Sequence, residues 1–290
     1  MKTFPPWIKK AITQDAAVYA TKEALDRTRA KTVCESSLCP NLNECYSRAF
    51  VTFLILGDIC TRNCAFCASA KGSPRAVDTG EADRMLEAVK SLKSARVVIT
   101  SVTRDDLEDG GAGHFVKAIE RIRSYNSAIE IEVLVPDFGE SPREAIRRVV
   151  KASPHVFGHN IETVKRLYGT VKAGASYERS LGVLRLAKEF APEITTKSAI
   201  LLGFGERHCE VIDCMSDLRK AGCDILAIGQ YLQPSKNQIP VERFVRPGEF
   251  ASYEGEAYRI GFKSVNSGPF VRSSYRKELY YDKDTIASVG

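Results

Sequence analysis

Six of the nine cysteines fall between residues 34 and 67, in two triplets of different spacing. Cys34, Cys39 and Cys45 form a CxxxxCxxxxxC pattern; Cys60, Cys64 and Cys67 form a CxxxCxxC pattern. This crowding constrains the chain more than any other feature. Three thiolates in one short loop can hold three corners of a four-iron cluster, and the fourth iron then takes another ligand or stays open to a substrate. Two triplets predict two clusters, and two clusters predict redox or radical chemistry rather than scaffolding. The competing reading is zinc. Zinc sites usually pair CxxC units and close with four ligands, which neither spacing supplies. Tight spacing and an odd total of nine cysteines also argue against a disulfide framework.

The rest of the composition sets class and compartment. The chain has 290 residues, 44% hydrophobic and 27% charged, enough for one large α/β domain with an extension. The longest apolar runs, 51–57 and 199–202, are far too short to span a bilayer. The N-terminal MKTFPPWIKKAIT lacks the apolar core and cleavage site of a secretory signal. A soluble, cytoplasmic protein with no membrane partner is expected. The net charge of +6 (42 basic, 36 acidic) is mild and forms no basic stripe with aromatics, so no nucleic-acid partner is expected.

From residue 50 onward, strand-like and helix-like segments alternate. Strands are predicted over 50–59, 96–102, 129–136, 156–161, 195–203 and 223–231. Helices are predicted over 79–94, 112–125, 141–152, 177–190, 207–221 and 249–260, with Ser141 as an N-cap before Pro142. Near-continuous apolar strands joined by helices imply a parallel sheet. Six units are too few for a closed eight-stranded barrel. The fold class is therefore α/β, a partial (β/α)6 TIM-like barrel, with a doubly wound sheet as runner-up. Three parts are expected: an N-terminal extension (1–49) carrying the first triplet, the barrel (50–261), and a C-terminal tail (262–290) containing SGPFVRSSY. In either architecture ligands sit at the carboxyl ends of the strands. The CxxxCxxC loop follows the first strand, at that face.

Weaker candidates come from the same placement. Thr103, Asp105 and Asp106 follow the second strand, where acidic groups suit an ammonium or ribose hydroxyls, or simply a solvated loop. Asn160 ends the fourth strand and Gln230 lies in the sixth; a buried amide at a barrel mouth wants a partner, which a ligand could be. Gly203 and Gly205 either let a nucleotide approach or make a tight turn, and residues 110–113 (GGAG) admit the same pair of readings. His159 is read as structural, though it neighbours Asn160. Cys209, Cys214 and Cys223 are read as ordinary small hydrophobes.

The CxxxCxxC loop after the first strand of a partial barrel, with Phe66 just before its last cysteine, resembles the radical S-adenosylmethionine superfamily. The upstream triplet, together with Arg272, Ser273, Ser274 and Tyr275 (RSSY), is similar to the lipoyl synthase family within it. The segments TSVTRDDLEDGGAGHF (100–115), HNIETVKRLY (159–168) and GQYLQPSKNQIPVERFV (229–245) look like that family too, and the similarity spans about residues 30–280. The resemblance implies two [4Fe-4S] clusters and S-adenosylmethionine. Cys60, Cys64 and Cys67 would hold the cluster that generates a 5′-deoxyadenosyl radical. Cys34, Cys39, Cys45 and, unusually, Ser274 would hold an auxiliary cluster consumed as the sulfur source. The substrate would be an octanoyl-lysine of a lipoyl carrier protein or domain. A reductant such as flavodoxin or ferredoxin and a cluster-repair protein would be further partners. The alternatives are another two-cluster radical sulfur transferase, or a non-catalytic iron–sulfur sensor or electron carrier.

Overall fold

The computed structural model describes residues 3–10, 15–139 and 142–275. Helix α1 (Ala16–Thr28) opens on Asp15, whose side chain accepts from the Val18 N–H at 3.0 Å, and it stops at Arg29 in the left-handed region (φ 55°). Two short helices follow, α2 (Val33–Ser36) and α3 (Leu42–Tyr46), carrying Cys34 and Cys45. Tyr46 is fully buried and ties these pieces together: its carbonyl accepts from Thr21 Oγ1 at 2.7 Å and its hydroxyl meets Thr32 Oγ1 at 2.8 Å. Strand β1 (Thr52–Ile55) is buried throughout. A miniature parallel pair, β2 (Ile59–Cys60) with β3 (Ala70–Lys71), closes the second cysteine loop at its base.

The βα units then run in order: α4 (Glu81–Ser91), β4 (Arg96–Ser101), α5 (Ala112–Tyr125), β5 (Glu130–Leu134), α6 (Pro142–Lys151), β6 (Val156–Gly158), α7 (Tyr168–Val171), α8 (Tyr177–Phe190), β7 (Thr195–Leu202), α9 (His208–Lys220), β8 (Ile225–Gln230), α10 (Pro247–Ile260) and β9 (Ser264–Gly268). Seven strands pair in parallel in the order β1-β4-β5-β6-β7-β8-β9, with β1 and β9 as the edges. The order never reverses. A doubly wound sheet needs a reversal to place helices on both faces, so the architecture is the open barrel. Lys31 and Thr32 of the extension cover the β1 edge: Leu54 N–H donates to the Lys31 carbonyl at 2.8 Å and Thr32 bridges Phe53 antiparallel.

The seventh strand corrects the sequence reading, which placed residues 262–268 in a tail. SVNSG holds one β-branched apolar residue, too little for a hydrophobic signal. Its pairing comes from β8, in register Leu226↔Val265 and Ala227↔Asn266. The first strand is also shorter than its apolar run, because Leu56 turns left-handed (φ 68°) directly after it. The expected N-cap Ser141 lies outside the described residues, as does the tail beyond Tyr275.

Alternation along the strands separates two faces. Val97, Ile99, Ile131 and Val133 pack with Phe115, Ile119 and Ile122 of α5, in the core between sheet and helices. Their neighbours Arg96 and Glu132 therefore face the lumen. On β7, Ile200 and Leu202 join the helix-side core, so Lys197 also faces inward. There Lys197 Nζ meets Glu132 Oε1 at 2.9 Å and Arg96 pairs with the same carboxylate. Lys197 and Glu132 are each 1% exposed.

Candidate functional site

The loop of Cys60, Cys64 and Cys67 rises between β2 and β3, with all three thiols free and partly buried. Backbone bonds pin it from several sides. Ala65 N–H donates to the Val171 carbonyl at 2.9 Å, and Ala65 in turn accepts from Ile239 N–H at 3.0 Å. Lys71 Nζ donates to the Cys64 carbonyl at 3.1 Å, and Thr61 N–H to that of Thr103 at 3.1 Å. The Arg62 N–H donates to Cys60 Sγ at 3.4 Å. Burial pushes the Cys64 thiol up to about 11, and Cys67 and Cys60 push it further while Lys172 opposes them. The three thiols are thus one another's electrostatic neighbours, the arrangement a positively charged metal group would relieve.

Arg62 is the residue within this loop that sequence reasoning missed. Its guanidinium grips Asp105 at 2.7 and 2.8 Å and Asp137 at 2.7 Å, and its side chain is only 8% exposed. It fastens the cysteine loop to the ends of β4 and β5. Asp105, expected at a ligand, is instead the ion-pair partner of this arginine, with Thr61 Oγ1 at 3.1 Å from the same carboxylate. Asp106 pairs with the buried Arg104 at 2.7 Å.

Across the mouth, Phe66 meets Phe204 edge-on (6.3 Å), and Phe204 stacks on Tyr231 (4.4 Å). Phe204 sits in a turn whose N–H groups at Gly203 and Phe204 donate to the Glu206 carboxylate at 2.7 and 2.9 Å. Gly203 is required here: φ is +120°, and a Cβ would lie 2.3 Å from Gln230 Nε2. Gln230, expected at a ligand, is fully buried and occupied. Its amide donates to the carbonyls of Leu202, Tyr231 and Arg243 at 3.0 to 3.1 Å and accepts from Val245 N–H at 2.8 Å. It braces the loop after β8.

At the end of β6 the polar groups are denser. Asn160 gives its carbonyl to Lys172 Nζ at 2.7 Å and its side-chain oxygen to Ser273 Oγ at 2.8 Å. Glu162 follows with φ +70°, strained for a non-glycine, its carboxyl pushed up by burial while Lys172 and a hydrogen bond from Asn160 hold it down. His159 is structural as expected: one ring nitrogen donates to the Val135 carbonyl at 2.8 Å and the other accepts from Ser180 Oγ at 2.9 Å. Burial pushes its pKa down to about 3, so the ring is neutral. Cys214 and Cys223 are core residues and Cys209 is exposed, so they form no third triplet.

The first triplet lies in the extension against β1. Burial pushes the Cys34 thiol up to about 12, Cys39 and Cys45 add to this, and hydrogen bonds from the Thr52 N–H and hydroxyl oppose it. The C-terminal segment crosses directly over this site. Gln230 N–H donates to the Pro269 carbonyl at 3.3 Å, and Asn41 Nδ2 to that of Phe270 at 2.6 Å. Gly229 makes room for the crossing, since a Cβ there would stand 2.0 Å from the Val271 carbonyl oxygen. Arg272 is desolvated near Cys39 and Glu162, burial pushing its pKa down while those two groups push it up. Ser274 Oγ accepts from Thr52 Oγ1 at 2.9 Å, and Tyr275 OH donates to Glu44 at 3.4 Å. Lys10 pairs with Glu44 and lies 5.2 Å over the Phe270 ring. The structure thus brings together RSSY and the first triplet, which are more than 200 positions apart in sequence.

Among the described residues, no group of three His, Cys, Asp or Glu is gathered tightly enough to hold a single metal ion. A four-iron cluster makes a different demand, since each thiolate serves its own iron corner. Two sets of three cysteines, none in a disulfide and each set raising the pKa of one of its own members, suit that group by donor type. No described helix is long and apolar enough to cross a membrane.

Residues 54–229 match the Radical SAM superfamily. The chain is 49% identical over 274 residues to a lipoyl synthase of Caldicellulosiruptor saccharolyticus, covering 94% of this chain and 96% of that one. It is 49% identical to a lipoyl synthase of Aquifex aeolicus (92% and 96% covered) and 47% identical to one of Hahella chejuensis (98% and 85%). Among solved structures, methylornithine synthase superposes with a TM-score of 0.51 at 13% identity, over 95% of this chain and 87% of that one. Streptococcus suis SuiB bound to precursor peptide SuiA superposes with a TM-score of 0.57 at 11% identity; 79% of this chain spans about half (52%) of SuiB. At these identities the likeness shows the fold alone.

Proposed function

We propose a function from one premise: this chain belongs to the lipoyl synthase family of the radical SAM superfamily. It is a sulfurtransferase that inserts two sulfur atoms, at C6 and C8, into the octanoyl chain carried on a lysine of a lipoyl carrier protein. It uses two [4Fe-4S] clusters and S-adenosylmethionine.

The residue assignment is ours. Cys60, Cys64 and Cys67 hold the cluster that binds S-adenosylmethionine, and Cys34, Cys39, Cys45 and Ser274 hold the auxiliary one. When bound, the first group supplies the electron that cleaves S-adenosylmethionine, and the second supplies sulfur. The chain's own part is positional. Arg62 fixes the second loop, Phe66 packs against the Phe204 turn, and Asn160 and Thr103 lie at the strand ends facing it. The observation that carries the assignment is the Thr52 hydroxyl, which donates to Ser274 Oγ at 2.9 Å while Thr52 also lies close enough to Cys34 to lower the pKa of its thiol. Ser274, 229 positions downstream of Cys45, comes to the first triplet through Thr52, by the fold and not by sequence proximity.

Ser274→Cys tests the assignment. The variant is expected to keep the auxiliary cluster, read as iron and sulfide per chain, and to lose sulfur transfer by about 10- to 100-fold. Normal turnover by Ser274→Cys would remove the idea that a hard, weak serine ligand aids release of its iron. Arg62→Met tests the loop. With Asp105 losing its arginine and Asp137 left with Arg179 at 3.4 Å, 5′-deoxyadenosine formation is expected to fall about 10- to 100-fold. An unchanged rate would make the arginine a bystander.

Electron supply by a flavodoxin- or ferredoxin-like protein, and rebuilding of the spent auxiliary cluster by a repair protein, complete the reading. The cysteines, none of them in a disulfide, suit the reducing cytoplasm.

A further inference from the structure

We propose that Thr52 is a positioning residue of the auxiliary site: its hydroxyl holds the Ser274 oxygen in the ligand position beside the Cys34 sulfur. This rests on the assignment of Cys34, Cys39, Cys45 and Ser274 as cluster ligands.

Thr52 opens β1, is 1% exposed, and faces the point where the extension and the C-terminal segment meet. Thr52 lies against two of these ligands: its N–H and hydroxyl both lower the pKa of the Cys34 thiol, and the hydroxyl donates to Ser274 Oγ at 2.9 Å. The other bonds along residues 269–275 fix the segment but not the serine oxygen. They run from Gln230 N–H to the Pro269 carbonyl, from Asn41 to the Phe270 carbonyl and from Ser273 to Asn160. Among the described residues, the Thr52 hydroxyl is the hydrogen-bond partner of Ser274 Oγ.

A serine side chain has three staggered positions open to it, and a hydrogen bond to its oxygen selects among them. A β-branched threonine in a strand is itself stiff at χ1, so its hydroxyl is a fixed reference point. Strand β1 is paired in register with β4, Thr52 opposite Val98, so that point belongs to the rigid sheet rather than to a loop. Ser274, far along the chain, is thereby referenced to the sheet.

The test compares Thr52→Val, nearly isosteric but without the hydroxyl, with Thr52→Ser, which keeps it. Each reconstituted protein is exposed anaerobically to an iron chelator, and iron loss from the first triplet is followed. Retained S-adenosylmethionine binding at the second triplet reports a folded chain. Thr52→Val is expected to release the auxiliary iron about tenfold faster than the parent, and Thr52→Ser to match the parent. Should Thr52→Val not fold, Thr52→Ala carries the same comparison. Release at the parent's rate by Thr52→Val, or equally fast release by Thr52→Ser and Thr52→Val, would overturn the inference. Ser274→Ala separates the two levels. If it sheds iron quickly while Thr52→Val does not, only the role of Thr52 fails. If Ser274→Ala retains iron as the parent does, the serine ligand fails and Thr52 with it.

Discussion

Alanine at Cys34, Cys39 and Cys45 together is expected to abolish sulfur transfer, by at least about a thousandfold, while 5′-deoxyadenosine is still produced. The two triplets are separate in sequence and in fold. One stands in the loop between β2 and β3, and the other in α2, α3 and the turn between them. The networks that hold them differ as well. Arg62, Asp105 and Asp137 fix the second loop; Thr52, Asn41 and the 269–275 segment surround the first. Removing the first set therefore leaves radical generation standing and withdraws the sulfur source. The reverse variant, alanine at Cys60, Cys64 and Cys67, loses both products. Mass spectrometry of an octanoyl-lysine peptide and of the nucleoside reads both outcomes. If the first-triplet variant still made lipoyl product, sulfur would have to come from elsewhere. If it made no 5′-deoxyadenosine either, the two sites would not be separable.

The largest stability change is expected from Glu132→Ala. Glu132 lies in the lumen between Lys197 and Arg96, at 1% exposure. Its removal takes the shared carboxylate from two buried cations, Arg96 keeping Glu130 at 3.6 Å, and breaking a buried pair from one side costs about 3–5 kcal/mol. Chemical denaturation of the iron-free chain should show that loss in unfolding free energy. A loss below about 1 kcal/mol, the size of an exposed pair, would mean that water reaches the lumen floor. Replacing Glu132, Lys197 and Arg96 together by apolar residues should cost much less than Glu132→Ala, because no buried cation is left beside a missing carboxylate and Glu130, which loses Arg96, is partly exposed.

The barrel was legible because its strands are apolar and its helices amphipathic. All six predicted helices and six strands appear within a few residues of their expected places. The seventh strand was not legible, because SVNSG is specified by its β8 partner rather than by its own composition. Site legibility divides the same way. The cysteine spacings and RSSY stand in the chain as local patterns. The placing of RSSY against the extension depends on Thr52, on the gap left by Gly229 and on the Asn41 anchor, all contacts between distant segments. Asp105 and Gln230 look alike in sequence, polar residues at strand ends, yet one is spent on Arg62 and the other on backbone carbonyls. Strand-end position alone cannot distinguish a group awaiting a ligand from one already satisfied by the protein. Glu162 and Lys172 were missed for the opposite reason. Nothing marks Lys172 locally, and Glu162 gains its setting only from Asn160 and the left-handed turn at its own φ of 70°.

The central claim is that the first triplet holds a sulfur source that the reaction consumes. The most direct measurement is a single turnover of protein reconstituted with heavy-isotope sulfide, supplied anaerobically with octanoyl-lysine peptide, S-adenosylmethionine and a strong reductant, with no free sulfide present. The account predicts that both sulfurs in the product carry the heavy isotope and that product stops at one equivalent per chain. Product whose sulfur lacks the isotope, or that accumulates over many equivalents without added sulfide, would contradict it.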